Sequence, residues 1–279
     1  MCKLVIVSVF KNCAHCLREW IEHYIREGVD TFLLTDNGST DAYQDTIKDY
    51  VDSGVVSIHI GLDQHKQVEY LNYYLPVAKK YDWILLIDLD EFIYSRKQFK
   101  TTKDYLKTIP STVNKISIPW KMFGSSHCKK QPTGIISHFI RRQKYPKEYS
   151  TTDICAIEKK CIVRGNQVKK LGIHNSLLKG DCYNEIIADG NAMNKVFMPI
   201  TEKLLQDSFL HLNHYRVQSL EMFTKTKMMD GDALNPFYDT IRDKSFFNQF
   251  DTNDMLDTEL KNKTKGKTQT RRNRKRGTR

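Results

Sequence analysis

The sequence predicts an α/β protein with a mostly parallel central sheet and helices on both faces. The first observation is that apolar strands alternate with helical patterns through the first ninety residues, which is typical of β-α-β units. The second is that the chain has 279 residues, of which 40% are hydrophobic and 11% aromatic. A chain of this size and composition can bury a substantial core, so a disordered protein is excluded.

Each predicted strand of this region is an apolar run that ends in turn residues. The strands are predicted at 3–10, 30–36, 54–60 and 83–88. Helical patterns are predicted between them at 13–27, 42–51 and 66–80. Gly28 directly follows the first helix, where glycine suits the C-cap.

The regular alternation stops after Phe92. The pattern there predicts a helix near 103–108, a strand at 114–120, further strands at 135–142, 154–163 and 208–213, and a helix at 219–229. Pro119 lacks a backbone N–H, so we expect it to interrupt its strand at a sheet edge or a bend.

The net charge of +11 is concentrated at the C-terminus. Residues 261–279 contain five Lys and five Arg without an acid. Subtracting these ten from 44 basic residues leaves 34 against 33 acidic residues in the rest of the chain. We therefore predict a disordered basic tail that can contact anionic surfaces. One functional hypothesis is a non-catalytic protein that binds nucleic acid or an anionic membrane through this tail.

The cysteines and the apolar runs favour a soluble cytoplasmic protein. The seven cysteines are an odd number and are scattered, which does not suit a disulfide framework. No run of 18 uncharged apolar residues is present, and the N-terminal apolar stretch is too short for a transmembrane segment. That stretch also lacks the cleavage site of a signal peptide.

Polar residues follow three of the predicted parallel strands. Asn12 and Asp36 follow the first two, and Asp88 and Asp90 end the stretch "DWILLIDLDEF". Parallel strands joined by right-handed crossovers end at one edge of the sheet, where open α/β sheets bind ligands. On an extended backbone Asp88 and Asp90 share a face, and two such carboxylates repel each other unless a cation or a cluster of donors lies between them. Mg²⁺ or Mn²⁺ meets that need and completes its shell with phosphates and water.

Two other interpretations of the acidic strand end are possible from the sequence. The magnesium-binding strand of an ATPase looks similar, but the phosphate loop that it requires is absent. The one G-K-T, at 266–268, lies in the basic tail with Lys261 where glycine is needed. The second alternative is structural, with Asp88 starting a turn and the other acids solvated.

Several stretches together resemble glycosyltransferase family 2 and family 92 proteins. They are, in order, "FKNCAHCLREWIEHYIREGVD", "LLTDNGSTD", "DWILLIDLDEFI", "WKMFGSSH", "KKCIVRGNQVKKLGIHNS" and "LNHYR", spanning about residues 3–216. The resemblance implies a GT-A fold with a Rossmann-like sheet, followed by C-terminal helices. It also implies a metal-dependent transferase of the hexosyltransferase class. Such an enzyme would move a sugar from a nucleotide-sugar donor, most commonly linked to UDP, to a hydroxyl group of a glycan or protein. The transfer would invert the anomeric carbon.

The resemblance assigns roles by position. Donor-binding residues would be Lys11, Asn12, Asp36 and Asp88. Asp88, Asp90 and His174 would bind Mn²⁺ or Mg²⁺, with His214 and Tyr215 in a second matching block. Trp120, Phe123, Gly124 and His127 would line the acceptor side.

The catalytic base is expected to be a carboxylate in the second half of the chain, and the candidates are Asp153 and Glu148. The predicted organisation is one domain over 1–260. Within it, 1–95 would bind the donor, 96–216 the acceptor, and 217–260 would form a C-terminal helical segment.

Overall fold

The computed structural model of the chain describes residues 2–148, 159–180, 184–193, 200–229 and 242–265. Within those ranges, nine strands form a central sheet in the order β3-β2-β1-β4-β8-β6-β12-β5, with β11 paired to β6. These strands are β1 (Leu4–Phe10), β2 (Thr31–Asp36), β3 (Val56–Ile60), β4 (Trp83–Leu86), β5 (Glu91–Ser95), β6 (Lys115–Met122), β8 (Lys159–Arg164), β11 (Glu185–Ile187) and β12 (Leu210–His214).

Shorter strands and helices surround this sheet. The short strands are β7 (Arg141–Arg142), β9 (Val168–Lys170), β10 (Leu177–Leu178) and β13 (Met255–Leu256). The helices are α1 (Ala14–Arg26), α2 (Tyr43–Asp52), α3 (Gln67–Tyr73), α4 (Leu75–Ala78), α5 (Thr102–Leu106), α6 (Glu202–Asp207), α7 (Leu220–Met222) and α8 (Lys244–Phe250). A 3₁₀ turn covers Gly165–Gln167, a π-helical turn covers Phe223–Lys227, and residues 259–265 are helical.

The strand directions bring seven carboxyl ends to one edge of the sheet. β1 runs parallel to both β2 and β4, and β2 runs parallel to β3. β8 is antiparallel to β4 and to β6, so β6 runs in the direction of β4. β12 is parallel to β6. β11 is also parallel to β6. The chain therefore leaves β1, β2, β3, β4, β6, β11 and β12 at the same edge.

Side chains of β1 alternate between two apolar layers, as a strand covered on both faces requires. Leu4 and Ile6 pack in the layer that contains Trp20 of α1. Val5 and Val7 pack in the layer that contains Leu71 of α3. The predicted α/β architecture, with a mostly parallel sheet and helices on both faces, is confirmed.

Pro119 does not interrupt its strand, and that prediction was wrong. β6 continues to Met122, and Pro119 is the last residue of β6 that pairs with β8. On the other side of β6 it lies between the ladders formed with β11, at 115–117, and β12, at 120–122. Pro119 thus lies at the point where β6 stops pairing with β11 and has not yet begun to pair with β12. Its missing N–H is therefore tolerated.

Two predicted elements are shorter than expected. The helix predicted at 66–80 is divided at Tyr74 into α3 and α4. Of the strand predicted at 135–142, only Arg141–Arg142 is a strand, because residues 135–138 form a turn with Ile135 as carbonyl acceptor.

Buried ion pairs attach the C-terminal segment to the domain. The Lys121 side chain is 1% exposed, and its Nζ donates to Asp257 Oδ2 at 2.9 Å. Lys263 Nζ lies 2.8 Å from Glu27 Oε1. Described structure thus continues through residue 265, past the predicted start of the tail at 261. Residues 266–279 of the predicted tail lie outside the described residues.

The buried His23 predicts a pH dependence of stability. Its Nε2 donates to the Ile93 carbonyl at 2.7 Å, and burial lowers the pKa of His23 to about 4. Unfolded histidine titrates near pH 6.5, so between about pH 6.5 and 4 the unfolded state binds a proton that the folded state does not. The free energy of unfolding therefore falls as the pH falls through that window, by roughly 3 kcal/mol for this residue.

Replacing His23 with Gln keeps an N–H donor and removes the titration. Urea unfolding at pH 7, 6 and 5 is expected to show a shallower loss of stability for His23→Gln than for the unchanged chain. His138→Gln, at an exposed histidine, is the matched control and should keep the full slope. Equal slopes for the two variants would contradict the assignment.

Candidate active site

A cleft of about 360 Å³ lies at the sheet edge where these strands end. Loops after β1, β4 and β12 contribute to its walls, together with the π-helical turn. Among the described residues, the charged side chains that line it are Lys11, Asp88, Asp90, Arg216, Lys227 and Arg242. Four cations and two carboxylates give the lining a net positive charge, which suits a ligand with more than one negative charge.

The acidic stretch after β4 is a turn. β4 ends at Leu86, and the Glu91 N–H donates to the Asp88 carbonyl at 3.1 Å before β5 begins. The extended backbone assumed through Asp90 was therefore wrong. The structural alternative was right that Asp88 starts a turn, but it was wrong about solvation. The side chain of Asp90 is 15% exposed and that of Glu91 is fully buried.

Lys160, on β8, neutralises the first half of the turn. Its Nζ donates to Asp88 Oδ2 at 2.6 Å and lies 3.7 Å from Glu91 Oε2. The Lys160 side chain is 1% exposed and that of Asp88 is 36% exposed. Burial opposes the charged ammonium, but Asp88 and Glu91 outweigh it and raise the pKa of Lys160 above its usual range. Asp88 is therefore held by a buried cation.

Lys227 and His214 neutralise the second half. Lys227 Nζ contacts Asp90 Oδ2, and His214 Nε2 lies 3.6 Å from Asp90 Oδ1. Burial opposes the charge of Asp90, yet Lys227 and His214 hold the pKa of Asp90 far below its usual range. Burial lowers the pKa of His214, and the charge of Asp90 opposes this shift.

Glu91 lies behind His214. His214 Nδ1 is 4.0 Å from Glu91 Oε1, and neither atom has a hydrogen-bond partner among the described residues. Burial raises the pKa of Glu91 well above its usual range, with Lys160 opposing this and the charges of Asp88 and Asp90 adding to it. The two side chains therefore face each other without a hydrogen bond between them.

The donor set fits a divalent cation in part. Across the described ranges, no three His, Cys, Asp or Glu side chains are grouped as an all-protein metal site would require. Asp90 and His214 supply one carboxylate and one imidazole 3.6 Å apart, both lining the cleft. Mg²⁺ is often held by one or two carboxylates plus substrate phosphates. Asp90 supplies one such carboxylate, and Lys227 contacts its Oδ2.

The predicted donor residues are divided between the cleft and the loops behind it. Lys11 and Asn12 line the cleft, but Asp36 is buried and does not. Asp36 Oδ1 accepts from the Ser39 N–H at 2.8 Å. Asn12 Oδ1 accepts from the Thr40 N–H at 2.8 Å, and the Asn12 N–H donates to Ser39 Oγ at 2.9 Å. Asn12 and Asp36 therefore shape the loop after β2, and their contact with a donor stays a prediction.

His174 lines the cleft beside Trp120 instead of beside Asp90. The Trp120 ring lies 5.5 Å from the His174 ring and 4.4 Å from the His214 ring. Burial lowers the pKa of His174, and the nearby Lys160 adds to this effect. His214, from the second matched block, is the histidine that the structure places against Asp90. A role of His174 in metal binding stays a prediction.

The other predicted acceptor residues lie outside the cleft lining. Phe123 is buried, with its ring 4.9 Å from that of Tyr215. At Gly124 an added Cβ would come within 2.5 Å of the Thr252 carbonyl oxygen, so close packing explains the glycine. His127 is exposed and has a positive φ of 64°. Their roles toward an acceptor stay predictions.

The two candidates for the catalytic base differ in whether the structure describes them. Glu148 is exposed, beyond the described cleft lining, and Asp153 lies outside the described residues. Both assignments stay predictions. The described lining does contain His15, whose Nε2 is 3.1 Å from Gln218 Oε1 and whose pKa is lowered by burial.

Lys160 and Lys227 are the functional candidates that the sequence reasoning missed. Lys160 is 72 residues from Asp88, and Lys227 is 137 residues from Asp90. Lys160 lies in the matched "KKCIVRG" stretch, which was a usable signal because its β-strand pattern makes a buried lysine unusual. Lys227 follows the last matched stretch, and no pattern connected it with the acidic turn.

Together the fold and the cleft define an α/β protein with a charged ligand site at the carboxyl edge of a parallel sheet. The model of the family described as glycosyltransferase family 92 matches residues 7–276, and the chain belongs to this family. A glycosyltransferase family 92 protein of rice, Oryza sativa subsp. japonica, is 23% identical over 154 residues, covering 53% of this chain and 26% of the rice protein. The chain thus spans about a quarter of that relative's length.

Solved structures share weaker likenesses. TarS of S. aureus, residues 1–349, in complex with UDP has a TM-score of 0.38 and 16% identity, covering 58% of this chain and 47% of that one. GalNAc-T7 with UDP, GalNAc and Mn²⁺ has a TM-score of 0.34 and 14% identity, covering 45% of this chain and 24% of that one. Scores at this level do not establish a shared fold, so the family assignment rests on the sequence match.

No helix in the described ranges is both long and apolar enough to cross a bilayer.

Proposed function

We propose that the chain is a metal-dependent glycosyltransferase that moves a hexose from a nucleotide-sugar, UDP-linked, to a hydroxyl group of a glycan or protein. The observation that carries the proposal is the cleft at the carboxyl edge of the sheet. Its described lining combines cations for a diphosphate with Asp90 and His214 for a divalent ion. Membership of glycosyltransferase family 92 agrees with this chemistry.

Asp90 and His214 would hold Mn²⁺ or Mg²⁺, which supplies charge neutralisation to the leaving diphosphate. The chain's own residues do the rest. Lys160 fixes Asp88 from behind, and the cations that line the cleft attract the phosphates. Preorganised charges of this kind are effective because they need no rearrangement during the reaction.

The Trp120 ring forms an apolar surface between His174 and His214, where it can pack against a sugar. We extend the proposal to inversion at the anomeric carbon, with a carboxylate taking the proton of the acceptor hydroxyl. Asp153 and Glu148 remain the candidates for that base.

A donor screen tests the proposal. The full chain is incubated with a panel of nucleotide-sugars, once with Mn²⁺ and once with a chelator, and release of the nucleoside diphosphate is measured. We expect hydrolysis of at least one donor in Mn²⁺ and a loss of roughly 10²-fold or more with chelator, because the leaving group is then not neutralised.

Readding Mn²⁺ after removal of the chelator is the control and should restore the rate. If no donor is bound or turned over in Mn²⁺, the enzyme proposal fails. If turnover is unchanged by the chelator, the transferase proposal stands and its metal dependence fails.

A further inference from the structure

Lys227 is paired with the carboxylate of Asp90, which is the group proposed to bind the metal. Its Nζ contacts Asp90 Oδ2, while His214 Nε2 faces Asp90 Oδ1. The side chains of Lys227 and Asp90 are 23% and 15% exposed, so water screens the pair only weakly. A divalent ion that approaches Asp90 therefore meets a positive charge already bound there.

The position of Lys227 depends on an unusual piece of backbone. It ends the π-helical turn Phe223–Lys227, and such turns are rare and recur at functional sites. Phe223, at the start of the turn, is fully buried in a small apolar cluster with Val217 and Phe247. The start of the turn is thus anchored, while its end delivers Lys227 to the cleft.

Neighbouring lysines on this turn differ sharply. Lys225 is 73% exposed and pairs with Glu221, at 2.7 Å, on the outer surface. Lys227 is directed into the cleft, where the other described charged residues besides the two aspartates are cations. A diphosphate that enters this cleft would meet Lys227 within the same lining as Asp90.

We propose that Lys227 is an exchangeable counter-ion that couples metal binding to nucleotide binding. Without nucleotide it neutralises Asp90 and weakens metal binding. When the diphosphate enters, Lys227 pairs with a phosphate and leaves Asp90 to the metal, so each ligand strengthens the binding of the other. This inference rests on the proposed function, because it takes the nucleoside diphosphate and the metal as ligands of this cleft.

Calorimetric titration of the full chain tests the inference. Mn²⁺ alone is titrated into the unchanged chain, Lys227→Met and Lys225→Met, and UDP is then titrated into each at saturating Mn²⁺. Lys227→Met is expected to bind Mn²⁺ alone roughly tenfold more tightly, because the competing charge is gone. It should bind UDP roughly tenfold more weakly, because a charged partner of the phosphates is lost.

Lys225→Met is the matched control and should change neither affinity. Opposite changes in the two titrations also exclude general damage to the fold, which would weaken both. Lys227→Gln is a second variant for the case that Lys227→Met does not fold. Unchanged or weaker Mn²⁺ binding by the folded Lys227 variant overturns the inference, and so does the absence of Mn²⁺ binding in every variant.

The two proposals fail separately. If UDP does not bind but Mn²⁺ binding tightens in Lys227→Met, Lys227 is confirmed as the competitor at Asp90, while its coupling to nucleotide and the proposed donor site are both wrong. If donors are turned over but the Mn²⁺ titration is unchanged, the transferase stands and the counter-ion role of Lys227 is wrong.

Discussion

Asp90→Asn is expected to reduce the rate of donor turnover about 10³-fold, which is the size of effect seen when one preorganised charge partner of a reacting group is removed. The amide has nearly the shape of the carboxylate but no charge. Lys227 would lose its partner, and His214 would be the one remaining protein ligand of the proposed pair. The measurement is steady-state release of nucleoside diphosphate in Mn²⁺, with folding checked by circular dichroism.

Asp52→Asn is the matched control for this substitution. Asp52 is 59% exposed and pairs with Lys48 on the surface of α2, so its loss should leave turnover unchanged.

Deleting residues 266–279 tests the alternative hypothesis of a protein that binds through its basic tail. The transferase proposal expects turnover to survive this deletion. For the substitution, full turnover by a folded Asp90→Asn variant would show that Asp90 does not belong to the site.

Lys160→Met is expected to lower the free energy of unfolding by about 3 kcal/mol, the lower part of the range for breaking a buried ion pair. The lower part applies because Asp88 is 36% exposed and can recover some hydration. Glu91 is fully buried, so without the Lys160 ammonium its carboxyl group would stay buried and lack the nearby positive charge. Urea unfolding monitored by circular dichroism measures the change.

Two comparisons make this result specific to the ion pair. Lys203→Met removes a lysine that is 66% exposed and pairs with Asp207, and it should leave the free energy of unfolding nearly unchanged. Adding Glu91→Gln to Lys160→Met should restore part of the loss, because the buried carboxyl group can then no longer ionise. Equal losses in the single and double variants would mean that Lys160 stabilises the fold through packing alone.

The sequence was most informative where a periodic pattern coincided with burial. β1 was predicted at 3–10 and lies at Leu4–Phe10, and β2 was predicted at 30–36 and lies at Thr31–Asp36. Nearly all residues of both strands are buried, so an apolar run in the sequence corresponds directly to each strand. The edge at which Asn12 and the acidic turn lie followed from strand direction alone.

Partners from distant parts of the chain could not be predicted. Lys160 and Lys227 reach Asp88 and Asp90 through β8 and the π-helical turn, and the charge of a lysine in a sequence does not reveal its partner. The main interpretation placed Asp88 on an extended backbone, and the turn was only the alternative. The sequence could not decide between them, because D-x-D suits both backbones. Whether each acid is solvated is decided by these distant cations.

The same separation along the chain determines when the site can be completed during synthesis. The acidic turn leaves the ribosome long before its cations, since Lys227 follows Asp90 by 137 residues. At translation rates of about 5–20 residues per second, this interval is on the order of 10 s. During that time Asp90 and Glu91 must remain hydrated or find temporary partners. The cleft can therefore mature only after Lys227 has been made, 137 residues after its acidic turn.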